Sequence, residues 1–249
     1  MINYMKSENY RLFRKKGLHI TSGVGFLLII AAAAILYFTG QHESNFPYAN
    51  SSFFYANVIG NNILILIIAF LFNLALTGKD MSLIKQSVSF GISRNTIFWS
   101  KLVLTLSYFL VICMVGILLM IGLGENIFVK EEQSAANFLI ASFNMLPIVL
   151  SGFFMIHAMK MMEASQLYII IMLLFIFVFS GGLLRVILGP FSRLDELYQY
   201  APSAQFDDNL MSYMEQTVQF EFRYWITGIV ISVICLLIGA KKFAKQPID

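Results

Sequence analysis

Side chains that could carry out catalysis or hold a metal are few and widely separated in this sequence. The three histidines, His19, His42 and His157, fall at three different levels of the apolar stretches, so their spacing is not that of a metal site. No Asp or Glu lies inside an apolar stretch, which argues against a carboxylate proton relay. The best arrangement for a serine nucleophile is Ser180 beside Gly181, with His157 as a base, but a Ser–Gly pair is more typical of helix packing. We predict no catalytic residues and no metal ligands.

The sequence lacks the usual signature of nucleotide hydrolysis. The nearest approach to the phosphate-binding loop G-x-x-x-x-G-K-[ST] is Thr77-Gly78-Lys79-Asp80, which has neither the first glycine nor the final hydroxyl residue. We therefore expect this chain to bind no cofactor, and any ATP and magnesium to belong to a separate subunit.

The composition is that of a membrane protein. Of the 249 residues, 58% are hydrophobic and 12% charged, against about 45–50% and about 25% in a soluble domain. This excludes a water-soluble enzyme. Cys113 and Cys235 both lie in apolar stretches, which indicates buried thiols rather than a disulfide framework. The net charge of +3 is not gathered on a soluble face, so we expect no nucleic acid partner.

Six uncharged stretches have about the 20 residues that a helix needs to cross a bilayer. The first is too long for a signal-peptide core and has no cleavage site, so we interpret it as a retained helix. The sequence thus predicts an all-α integral membrane protein, a single domain over residues 1–249, with spans at about 20–39, 55–77, 102–123, 134–159, 164–184 and 224–240.

The basic residues predict the orientation, because Lys and Arg of short loops stay on the cytoplasmic side. With the N-terminus inside, thirteen Lys and Arg residues fall inside and three, Lys130, Arg193 and Arg223, fall outside. Ten of the fourteen acidic residues fall outside. We therefore place both termini in the cytoplasm.

Two segments outside the spans have amphipathic patterns. Residues 1–16 place apolar side chains at helical spacing among basic ones, which favours a helix in the inner interface over a disordered basic tail. Residues 189–221 keep apolar and aromatic side chains among acidic ones, which favours short helices on the outer side between the fifth and sixth spans.

The connection between the second and third spans is more elaborate than a plain helical hairpin, which usually needs about 2–8 residues. Asp80 suits an N-cap, Gly91 a left-handed C-terminal position and Ser93 the N-cap of the next helix. Between them an apolar stripe alternates with polar residues, so we predict a short amphipathic helix. The residues of this segment are Asp80, Met81, Ile84, Lys85, Val88, Gly91, Ser93 and Arg94.

Asparagines within the spans allow two interpretations. Asn57 and Asn61 share a helical face, and interhelical hydrogen bonds would explain such amides. The alternative is a partly hydrated substrate path, with a guanidinium at its outer end for a carboxylate or phosphate. Gly228 on the last span predicts close helix packing. The path would be formed by Asn57, Asn61, Asn144 and Arg185.

This layout resembles the ABC-2 type membrane permeases, particularly the small six-span Gram-positive subunits of antimicrobial-peptide export or immunity. The resemblance covers the whole layout but rests on three features. These are the N-terminal segment, the Pro-containing outer segment before the last span, and the run Ser87-Val88-Ser89-Phe90-Gly91-Ile92-Ser93-Arg94 followed by Trp99-Ser100-Lys101.

The resemblance implies a function and a set of partners. The segment between spans two and three would be the coupling helix that docks on cytoplasmic ABC ATPase subunits. Two permease chains, identical or paralogous, would pair in a bacterial plasma membrane, among its lipids, and export a hydrophobic or amphipathic peptide. A non-transporting adaptor or sensor would share the coupling segment, and an intramembrane enzyme is the third alternative.

Overall fold

The computed structural model describes residues 2–43, 46–77, 81–191 and 195–246, and these ranges form an all-helical bundle without a β-strand. The chain is therefore an all-α protein, as the composition predicts. Its helices are α1 (Ile2–Phe13), α2 (Lys16–His42), α3 (Ser51–Gly60), α4 (Asn62–Thr77), α5 (Met81–Ser89), α6 (Arg94–Ile127), α7 (Ser134–Met161), α8 (Gln166–Leu174), α9 (Ser180–Leu188), α10 (Pro202–Met214) and α11 (Phe222–Lys245). A π-helical turn at Phe175–Phe179 joins α8 to α9, and a 3-10 helix spans Asp195–Tyr200.

Within the described ranges, five helices are long and apolar enough to cross a membrane, or up to six if one bent pair counts as a span. The five are α2, α6, α7, the run Gln166–Leu188 and α11. Most extend beyond the predicted limits: α6 begins eight residues before the predicted start at 102, because Arg94 and Lys101 find partners inside the protein.

The second predicted span, at 55–77, is not one straight helix. It is broken at Asn61, and Ser51–Gly60 and Asn62–Leu74 are bent by 55°. Asn61 leaves the helical conformation, and its side chain donates to the backbone oxygen of Asn57 at 2.6 Å. A side-chain bond to the preceding turn satisfies a carbonyl that the break exposes.

Helix α7 forms the centre of the bundle, and α11 packs along it. A Cβ at Gly228 would lie 2.4 Å from the backbone oxygen of Pro147, and one at Gly239 would lie 2.5 Å from Cβ of Ala158. Only glycine permits this approach, so the predicted close packing at Gly228 is confirmed. Helix α2 is the opposite case, since Leu18 and Ala33 are its only buried residues.

The helix ends gather in two groups, which we call the α5 end and the α10 end. At the α5 end, Ile84 of α5, Phe98 of α6, Met161 of α7 and Phe243 of α11 form one buried cluster. At the α10 end, the hydroxyls of Ser51 and Ser134 lie 2.8 Å apart, which ties the start of α3 to the start of α7. The predicted N-terminal helix and the predicted short helices before the last span both form, as α1 and as the 3-10 helix with α10.

Candidate coupling segment and interhelical cavity

The helix predicted between the second and third spans forms as α5, and its apolar stripe faces the bundle. Ile84 is 1% exposed and packs in the cluster with Phe98 and Phe243, and Val88 packs against the same cluster. Lys85 and Gln86 are exposed, as the amphipathic pattern predicts. Because its apolar side is already covered, any partner of α5 must contact the opposite side.

The C-terminal end of α5 is formed by the residues that the sequence predicts for it. Gly91 has a φ of 83°, the left-handed conformation that glycine adopts without strain. The Ser93 hydroxyl accepts the backbone N–H of Thr96 at 3.2 Å and caps α6. On the N-terminal side, Asp80 lies outside the described residues, and for Met81 only the backbone is described.

Among the described side chains of this segment, two apolar ones remain exposed, and neither belongs to the predicted stripe. Leu83 is 41% exposed and Phe90 is 77% exposed. Phe90 directly precedes the left-handed glycine, so it stands at the tip of the turn rather than on the buried stripe. A single large aromatic next to a turn glycine is the signal that could have identified it.

Arg94, one of the residues predicted at the partner contact, bonds to the end of the last helix. Its guanidinium donates to the backbone oxygens of Phe243, Ala244 and Gln246, at 3.0 Å for Ala244. These carbonyls end α11, where a cation is electrostatically favoured. Arg94 therefore fastens the last helix to the start of α6.

A groove of about 790 Å³ runs between α1 and α5. Its lining is mixed: Glu8 and Arg11 from α1 form an ion pair, and Phe90 and Leu83 contribute apolar surface from the α5 side. Burial, and then the Glu8 carboxylate, raise the pKa of Tyr4, another lining residue, so its hydroxyl stays neutral. The groove thus joins apolar and charged groups at one surface.

A second cavity, of about 360 Å³, lies between α2, the α3–α4 break, α6 and α7. Asn57 and Asn61 both line it, so the structure brings these two path residues together. The Asn57 amide donates to the backbone oxygen of Phe53 at 2.9 Å, a bond within its own helix. The rest of the lining is mainly aliphatic and aromatic.

The other two residues of the predicted path lie elsewhere. Asn144 is 1% exposed, donates to the backbone oxygen of Gln219 at 2.7 Å and accepts the N–H of Glu221 at 3.0 Å. It thus fixes the chain that leads from α10 into α11. The exposed Arg185 lies 5.8 Å from the ring centroid of Tyr198. The structure does not join these residues to the cavity with Asn57 and Asn61.

The alternative serine and histidine pair has separate partners. The Ser180 hydroxyl lies 3.3 Å from that of Ser203 in α10. His157 is fully buried, and its Nε2 lies 3.2 Å from the backbone oxygen of Phe98, at the α5 end. The two residues that an intramembrane hydrolase would need in contact are therefore engaged with different elements. The described residues contain no cluster of His, Cys, Asp and Glu that could hold a metal ion.

The fold and these surfaces define a class: an all-α protein whose apolar helices are compatible with a multi-pass membrane protein. No protein-family model, curated protein or solved structure matches the chain.

Proposed function

We propose that this chain is the permease subunit of an ATP-driven exporter, in which α5 is the coupling helix that docks on a cytoplasmic ATPase. Two such chains, or one with a paralogue, would pair with two ATPase subunits. The α5 end would face the cytoplasm with both termini, in a bacterial plasma membrane.

The observation that carries the proposal is the arrangement of α5. Its inner side is anchored in the cluster around Ile84, while Leu83 and Phe90 present apolar surface away from it. A push on the outer side of α5 would reach α6, α7 and α11 through the side chains of this cluster. Exposed apolar groups beside polar ones are typical of a docking surface.

The distribution of charged residues supports the proposed orientation of the chain in the membrane. At the α5 end, Arg94 lies beside the exposed Lys241 and Lys242. At the α10 end, the basic residues Lys130 and Arg223 are paired with the carboxylates of Glu125 and Asp208. Under the positive-inside tendency the α5 end is cytoplasmic, where an ATPase would be.

The proposed cargo is a hydrophobic or amphipathic peptide. This part rests on the family resemblance and on the aromatic content of the chain, 24 Phe and 11 Tyr, which suits large apolar contacts. The absence of carboxylates inside the apolar stretches argues against an ion-driven cycle.

The test is ATP-dependent accumulation of a fluorescent amphipathic peptide in inside-out membrane vesicles of the native host. We expect accumulation to fall to background when this gene is deleted and to return with the wild-type chain. The variant Phe90→Asp should not restore it, although the protein inserts normally.

The matched control is Phe191→Asp, which also changes an exposed aromatic but lies after α9, outside the α5 segment. It should restore accumulation. Equal accumulation with and without the gene would overturn the proposal. Normal ATPase recruitment with no transport of any peptide would favour the adaptor instead.

A further inference from the structure

The cavity between α2, α4, α6 and α7 has a shape that restricts its occupant. On α2 its lining runs from Thr21 to Ala32, and on α6 it runs from Phe109 to Met120. Each stretch covers about 16 Å at the helical rise of 1.5 Å per residue. The cavity is therefore elongated along the helices, parallel to the direction in which lipid chains lie in a bilayer.

The cavity has a volume of about 360 Å³, and this space is spread along the helices rather than gathered in one round chamber. An extended hydrocarbon chain has the same elongated form.

The chemistry of the lining agrees with such an occupant. None of the lining residues is charged, and the polar ones are Thr21, Asn57, Asn61 and Ser142. A largely apolar cavity favours hydrocarbon over water. Hydrocarbon is also the material that surrounds the middle of a membrane helix.

The cavity opens sideways. Leu28, in the middle of α2, and Leu64, on α4, both line it and remain 48% and 37% exposed. Asn61 at the break is exposed beside them. Because Leu28 lies near the centre of its span, the opening faces lipid tails rather than water.

We propose that this cavity is a binding site for one fatty acyl chain, taken from the surrounding bilayer. The acyl chain lies between α2 and the rest of the bundle and supplies the packing that α2 lacks. This site is independent of the proposed ATP-driven transport, because it needs no ATPase.

The experiment uses the purified full chain in phosphatidylcholine nanodiscs with two photoreactive probes. One is a long-chain fatty acid with a diazirine in mid-chain, and the other is a phosphatidylcholine with the same acyl chain. After illumination, mass spectrometry should locate adducts on residues of the lining such as Cys113, Met120 and Met145. Labelling by the fatty acid alone would identify a free acid as the source, and labelling by the phosphatidylcholine would identify a bilayer lipid.

Two cavity-filling variants test whether the adducts come from the cavity. A Cβ at Gly116 would lie 3.7 Å from Ile29 inside the lining, so Gly116→Leu should lower adducts at Met145 about tenfold. Gly122→Leu is the matched control on the same helix, where nothing lies within 4 Å, and it should leave them unchanged. Ala32→Leu fills the cavity from α2 and serves as the second variant.

Adducts confined to outward-facing residues such as Leu27, with equal labelling of the Gly116→Leu and Ala32→Leu variants, would overturn the proposal.

Discussion

The Nζ of Lys101 donates to the Oε2 of Glu8 at 3.0 Å, and the Lys101 side chain is completely buried. This ion pair joins α1, which precedes every span, to α6. Arg11 binds the same carboxylate oxygen from within α1. The helix predicted for the inner interface is thus fixed to the bundle by a buried charge pair.

Removal of the Glu8 carboxylate takes an anionic partner away from a buried ammonium, which costs about 3–5 kcal/mol. We therefore expect Glu8→Ala to lower the thermal unfolding temperature of the detergent-purified protein strongly. The double variant Glu8→Leu/Lys101→Met removes both charges and should recover most of the loss. If the single variant is as stable as the wild type, the pair does not hold α1.

Ile84 and Phe90 should separate the two sides of α5. Ile84→Ala opens a cavity in the cluster with Phe98 and should destabilise the protein by about 2–5 kcal/mol. Phe90→Asp changes an exposed side chain and should alter stability by only about 0.5 kcal/mol. Chemical denaturation of both variants checks this contrast, and equal losses would mean that Phe90 is also part of the packed core.

Arg94 should stabilise the last turn of α11. Its bonds to the carbonyls of Phe243 and Ala244 are charge-assisted, worth about 1.5–3 kcal/mol. Arg94→Ala should therefore speed amide hydrogen exchange in residues 240–245 by about tenfold or more. Lys242→Ala is the control on the same turn of α11. An unchanged amide exchange rate in the Arg94 variant would mean that Arg94 does not hold the end of α11.

The sequence predicted the helices better than their partners. Periodicity located α5 and its buried stripe, because burial on one side of a helix leaves a repeat that can be read locally. The cap at Ser93 and the left-handed Gly91 are also local, and both are confirmed. The exposed Leu83 and Phe90 had no such repeat.

The contacts between distant segments could not be predicted from the sequence. Asn57 and Asn61 line the same cavity because they are one helical turn apart. Asn144 instead hydrogen-bonds to the backbone of Gln219 and Glu221, more than seventy residues later in the chain. The bend at Asn61 depends on how α3 packs, since its residues pack against α6 and α7. The residue types within one segment do not show which distant segment it will pack against.

The orientation can be tested with an impermeant thiol reagent in intact cells. In a Cys113→Ser/Cys235→Ser background, Gln133→Cys near the α10 end should react and Gln86→Cys at the α5 end should not. Both positions are exposed, so reactivity reports the side of the membrane. The opposite pattern of labelling would place α5 outside the cell.

The docking of α5 on an ATPase is tested most directly by photo-crosslinking from position 90 in living cells of the native host. With benzoylphenylalanine in place of Phe90, we expect one major adduct. Its partner, sequenced by mass spectrometry, should contain a G-x-x-x-x-G-K-[ST] nucleotide-binding loop. The same substitution at the exposed Phe222 should not capture that partner. Adducts at position 90 that contain only lipid, or only proteins without a nucleotide-binding loop, would contradict the claim that α5 couples this chain to an ATPase.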